Sequence, residues 1–108
     1  MDPHELAQSR SLALHRAVLE RIEHDPSLLD EVRARLNAWR SDETKPQHYV
    51  NAWSALMDGP REALHAVLTG DDEHARALRQ ATPFAGVVGP RERWRIWADV
   101  KSRATRSA

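Results

Sequence analysis

Six histidines, at His4, His15, His24, His48, His65 and His74, are the side chains of this chain best suited to metal binding or proton transfer. Imidazoles bind zinc readily when two stand one helical turn apart, or when thiolates complete a tetrahedral set. Neither condition holds, because no two histidines are four residues apart, H-E-x-x-H is absent and there is no cysteine. A metal would have to gather ligands from separate helices, so the sequence predicts no metal and no cofactor. His15 with Glu23 or Asp25 would make an acid–base pair, but such pairs arise by chance in any charged helix. No serine nucleophile elbow and no phosphate-cradling glycine loop occurs. The expectation is a protein that is not an enzyme and has no small-molecule substrate.

What remains is chemistry of contact. Arg76, Arg79, Arg91, Arg93, Arg95, Lys101, Arg103 and Arg106 gather positive charge in the final third, while acidic residues thin out after Glu73. A solvated helix face is the commonest meaning of such a run. The other meaning is a patch for DNA phosphate, or for an acidic or phosphate-binding pocket on a protein, since the guanidinium fork pairs well with anions. Sixteen basic and sixteen acidic residues cancel overall, so attraction to nucleic acid or an anionic membrane would have to be local. No helix pair shows a convincing helix-turn-helix pattern.

Four tryptophans are a heavy aromatic load for 108 residues. Tryptophan serves both cores and interface hot spots. Trp39 and Trp53 fall on periodic apolar faces and read as core, whereas Trp94 and Trp97 lie among charged residues and read equally as core or interface. Between the arginines and these tryptophans runs Ala81 to Pro90, an apolar loop with Phe84, Val87, Val88, two glycines and no charge before Arg91. It folds back over the helices with Phe84 as a plug, or docks on another chain, or does both.

The elements that position these residues read as helices, and the expected fold is all-α, a single small domain of five or six short helices. Leu14, Val18 and Ile22, widened by Leu12 and Leu19, give one face to a helix from about Glu5 to His24, which Asp25-Pro26 breaks. Asp25 or Ser27 can cap a second helix carrying Leu29, Val32, Leu36 and Trp39 to about Arg40. Ser41 to Pro46 reads as a polar loop and candidate hinge. Tyr49, Val50, Trp53, Leu56 and Met57 mark a third helix from about Gln47 to Asp58, capped by Gly59, with Pro60 opening the fourth at its first position. Leu64, Val67 and Leu68 carry the fourth to Thr69-Gly70. Asp71, Asp72 and Glu73 favour a fifth with Ala75 and Leu78 inward, and Thr82-Pro83 ends it. Pro90 opens a last helix in which Trp94, Trp97 and Lys101, or Arg93, Trp97 and Val100, share a face. The domain should span residues 1–100, with 101–108 a basic flexible tail.

The N-terminal stretch M-D-P-H-E-L-A-Q-S-R is acidic and polar where a secretory signal is basic and then apolar, and no stretch is long enough to span a membrane. With no cysteine as well, the expected setting is the cytoplasm, without membrane association.

Two blocks of the chain resemble a family of small bacterial antitoxin-like proteins encoded beside a toxin gene. The first is L-H-R-A-V-L-E-R-I, Leu14 to Ile22, then D-P-S-L-L-D, Asp25 to Asp30, then Arg33, Arg35, Leu36 and Trp39. The second and more specific is R-A-L-R-Q-A-T-P-F-A-G-V-V, Arg76 to Val88, followed by P-R-E-R-W-R-I, Pro90 to Ile96. The resemblance implies neutralisation of a cognate protein toxin by binding, with kinase-like, nucleotidyltransferase-like and ribonuclease-like toxins all compatible. The expected contact surface comprises Arg79, Gln80, Pro83, Phe84, Arg93, Trp94 and Trp97, with Phe84 and the tryptophans as apolar anchors and the arginines as anion partners. The alternatives are a small DNA-binding regulator that uses the basic C-terminal region, autoregulation of its own operon included, and a scaffold or chaperone that holds a protein without inhibiting it.

Overall fold

The computed structural model describes residues 2–107, with side chains for 2–106. Among them are six α-helices and a single 3-10 turn, with no strand: α1 Pro3–His24, α2 Leu28–Arg40, α3 Gln47–Asp58, α4 Arg61–Thr69, α5 Glu73–Gln80, the 3-10 turn Ala85–Val87, and α6 Pro90–Ser107. The all-α, single-domain expectation holds.

Local chemistry sets most boundaries. α1 begins two residues earlier than its apolar stripe suggests, because the Asp2 carboxylate accepts from the Glu5 amide at 2.8 Å and Pro3 takes the first turn. Asp72 caps α5 in the same way, accepting from the Ala75 amide at 2.7 Å. Ser27 occupies the N-cap of α2 but makes no capping bond; its hydroxyl donates instead to Asp25 Oδ1 at 2.5 Å. Gly59 ends α3 in an extended conformation, and Pro60 is the N-cap of α4 rather than its first residue.

The joint after α4 is where glycine is required. A Cβ on Gly70 would lie 2.4 Å from the Ala66 carbonyl oxygen, closer than any side chain tolerates. The expected hinge at Ser41 to Pro46 is tied down. Asp42 accepts from the Thr44 amide at 2.9 Å and its hydroxyl at 2.6 Å, bonds that hold the Asp42 carboxyl below the usual range. Gln47 Nε2 also donates to Trp39 O at 3.0 Å and Lys45 O at 3.1 Å.

The core forms around α1, which packs on α2, α4, α5, the 3-10 turn and α6. Leu14, Val18 and Ile22 meet Val32 and Leu36 of α2, Val50, Trp53 and Met57 of α3, Leu64, Val67 and Leu68 of α4, and Leu78 of α5 in one buried cluster. Phe84 and Val88 complete it, each with no exposed surface. Trp53 is buried as expected, but Trp39 is only half-buried, its ring covered by Lys45 at 4.6 Å.

In the C-terminal part, the first of the two readings of the apolar loop is realised and the expected tail is corrected. The apolar loop folds back into the core. The segment after Val100 is not a separate tail, since α6 continues as one helix to Ser107. Arg93, Ile96, Val100 and Ala104 recur at three- and four-residue spacing on the inward, half-buried side of α6. Of the two faces proposed from the tryptophans, that of Trp94, Trp97 and Lys101 is not the packed one, while Arg93 and Val100 of the other do lie on the packed side, with Ile96, which neither face included, against the core.

Candidate docking face

Trp94 and Trp97, 69% and 38% exposed, are the exposed large hydrophobic side chains among the described residues. Ile96 faces the core, Trp94 two residues before it points nearly the opposite way, and Trp97 one residue after it lies at the edge towards α1, with Arg10 5.9 Å from its ring centroid. Arg91 and Arg95 are exposed on the same helix, and Arg93 is half-buried. Arg21 in the last turn of α1 donates to the Glu92 carboxylate, which ties the start of α6 to the C-terminal end of α1. The result is an aromatic and cationic ridge backed by a single helix.

Gln80 is exposed at the end of α5 and joins the expected set on the surface. Pro83 and Phe84 do not, and their assignment to the contact surface is corrected; Arg79 is buried as well and meets the outside only as part of a groove lining. Phe84 packs against Trp53 with ring centroids 5.4 Å apart and planes tilted by 59°, a favourable aromatic geometry. Trp53 Nε1 donates to the Leu78 carbonyl at 3.1 Å, so its one polar atom is satisfied inside the core. Pro83 is buried, and its carbonyl accepts from Arg35 Nη1 at 2.5 Å. The same guanidinium crowds Gly86, where a Cβ would lie 2.8 Å from Arg35 Nη2. An apolar segment that faced water would leave this surface unpaired, and burying it is what the hydrophobic effect favours.

Arg79 is 3% exposed. Its Nη1 donates to Val67 O at 2.7 Å and Gly70 O at 2.6 Å, so it satisfies carbonyls at the C-terminal end of α4 and fastens α5 to it. Burial lowers its pKa, although arginine starts so high that it stays charged.

Sequence reasoning also missed a buried relay that holds this loop. His15 is 1% exposed, with Nδ1 2.6 Å from Ser11 O and Nε2 2.8 Å from Thr82 Oγ1. A carbonyl only accepts, so Nδ1 carries the proton and Nε2 accepts from the Thr82 hydroxyl. Thr82 Oγ1 in turn accepts from the Phe84 amide at 3.0 Å. Desolvation by burial, above all, lowers the His15 pKa from 6.5 to about 4, against a raising contribution from Ser11, with repulsion from Arg79 adding to the lowering. The partners of His15 are thus a carbonyl and a hydroxyl, not Glu23 or Asp25. A signal was present: His15 sits between Leu12 and Leu19 on the apolar face of α1.

Two adjoining grooves open beside this relay. One, about 340 Å³, is lined by α1 from Ala7 to His15 together with Arg79, Thr82 and Trp97. The other, about 70 Å³, lies between α1 and α5 and carries Gln80 and Arg76. Ala7, Ser11 and Arg79 border both. No group of three potential metal ligands occurs among the described residues, and no helix of the structure is long and apolar enough to cross a membrane. No family model, curated protein or solved structure matches the chain.

Proposed function

We propose that this chain is an antitoxin-like protein that binds and neutralises a cognate protein toxin in the cytoplasm. The outward face of α6 would be its principal contact, and the chain would act by occupation rather than catalysis. The observation that carries this reading is Trp94, a tryptophan left 69% exposed on a helix supported from one side by α1. An indole in that position exposes a large apolar area that folding has not used, and tryptophan with neighbouring arginine is the composition in which binding energy concentrates. The exposed Arg91 and Arg95 flank Trp94, Trp97 and the half-buried Arg93 lie at the edge of the face towards α1, and Gln80 borders the adjoining groove.

Affinity capture of the tagged chain from its own cells at moderate salt, with the retained proteins identified by mass spectrometry, tests the reading. One stoichiometric partner is expected whose expression alone arrests growth, with growth restored by co-expression. Trp94→Ala should weaken that complex by about 2 kcal/mol, close to thirtyfold. Capture of nothing, or of a partner whose expression is harmless, sinks the proposal.

A second reading is supported by the length of α6. Because the helix runs through to Ser107, the exposed Arg91, Arg95, Lys101 and Arg106 lie along one rod, an arrangement that suits DNA phosphates, for example at the chain's own operator. Such binding would weaken steeply as salt rises. A gel-shift series at low salt that shows no complex, with and without the protein partner, eliminates it.

A further inference from the structure

We infer that the groove between α1, Thr82 and Trp97 is a carboxylate-binding site that receives an acidic side chain, flanked by apolar residues, from a protein partner. This rests on the docking reading above and adds the chemistry of what the partner inserts.

Two independent observations meet in this groove. Arg79, almost wholly buried, lines it and is a full positive charge whose hydrogen-bond partners among the described residues are the two neutral carbonyls of Val67 and Gly70, with Asp71 and Asp72 acting on it only through space. Its Nε–H is buried with no acceptor. Arg10 lines the same groove, its Nε is likewise buried without a partner, and its guanidinium carbon lies 5.9 Å from the Trp97 ring centroid. Among the described residues, no carboxylate comes within ion-pair distance of Arg10 or Arg79, and neither groove is lined by an aspartate or glutamate. A buried cation without a direct ion pair, and buried donors left without an acceptor, are costly, and an incoming carboxylate would answer the charge of Arg79 and supply the missing acceptor.

The walls specify what carries that carboxylate. Ala7, Leu14 and Trp97 make them apolar, so the groove favours methylene and methyl groups around the charge. Nucleic-acid backbone fits poorly, because its phosphates are spaced along a hydrated strand that meets exposed cations, whereas Arg79 is 3% exposed within a groove lining. A glutamate or aspartate on an apolar segment has the reach and the flanks. Arginine's fork then pairs with the carboxylate while Arg10 remains stacked on Trp97.

The test uses the full chain and two tripeptides, Ac-Leu-Glu-Leu-NH2 and Ac-Leu-Gln-Leu-NH2, which differ in one charge. Nitrogen-15 spectra that resolve arginine Nε–H and indole Nε1–H groups read the site directly. The glutamate peptide should shift Arg79 Nε–H and the Trp97 indole saturably, with the glutamine peptide at least about tenfold weaker. Arg10→Gln should weaken the glutamate peptide by about tenfold without changing the melting temperature; Arg79→Gln is avoided because Arg79 also fastens α5 to α4. Equal response to the two peptides, or no saturation, overturns the inference. So does an equally strong shift from inorganic phosphate or a DNA duplex. A silent groove in a chain that still captures its protein partner overturns this inference and leaves the docking reading standing. Saturable binding of the glutamate peptide with no protein captured supports the groove and removes the docking reading instead.

Discussion

The loop Ala81 to Pro90 and the helix that follows it are neighbours with opposite fates. The loop is bound to the domain from three sides, by Arg35 to Pro83 O, by Thr82 between His15 and the Phe84 amide, and by Phe84 and Val88 in the core. Among the described residues α6 contributes no fully buried side chain; it packs chiefly on α1, carries Trp94 outward and leaves Trp97 at the edge of that contact. The apolar run is therefore spent on the core, and it is the charged helix that leaves aromatic surface exposed. What separates them is satisfaction: the loop's apolar groups find a core and its polar groups find partners, whereas α6 has too few apolar positions to bury both its tryptophans and Ile96.

Breaking the loop should have the largest effect. Phe84→Ala removes a fully buried ring from contact with Trp53 and should destabilise the domain by about 3–5 kcal/mol, read as a fall in the denaturation midpoint. A loss under 1 kcal/mol would show that the loop is not part of the core.

Acidification should come next. The unfolded His15 takes up a proton near 6.5 and the folded one only near 4, so the fold's preference for the neutral ring stabilises it fully above about pH 6.5. That contribution is lost as pH falls from 6.5 towards 4, and amounts to on the order of 3 kcal/mol. Unfolding curves across this range for the wild-type chain and His15→Gln should differ in slope, with the steeper decline in the wild type. Parallel slopes would mean that the ring is not held neutral.

Loosening α6 should be milder. Ile96→Ala removes a half-buried side chain and should cost about 1–2 kcal/mol, concentrated in α6. Hydrogen exchange should then rise in residues 90–107 while α1 to α5 keep their protection. Uniform acceleration across the chain would instead make α6 an integral part of the cooperative unit. Smallest of all, Trp94→Ala should leave stability within about 0.5 kcal/mol, since the side chain is largely exposed. A marked fall in melting temperature for this variant would show the indole is structural and remove the anchor of the proposed docking face.

Several of these contrasts were legible in the residues. The spacing of Leu14, Val18 and Ile22, and of Leu64, Val67 and Leu68, announces amphipathic helices, and Asp25-Pro26 and Asp58-Gly59-Pro60 mark their breaks, because helical period and proline geometry are local properties. Trp94 and Trp97 were open to either reading, and only the choice of Ile96 as the inward residue turned Trp94 outward and left Trp97 at the edge. The polar relay was beyond reach, since Thr82 lies 67 residues from His15 and nothing local brings them together.

The chain's own residues thus determined an all-helical, cysteine-free domain, the position of most of its helices, and the absence of recognisable catalytic spacing. Tertiary structure alone decided that Arg79 is buried against the end of α4 while Trp94 stands in solvent. Periodicity reports which side of a helix is apolar, but it does not report which helix will cover that side. Burial is settled by long-range packing, and a charged residue goes inside when carbonyls from another element are waiting for it.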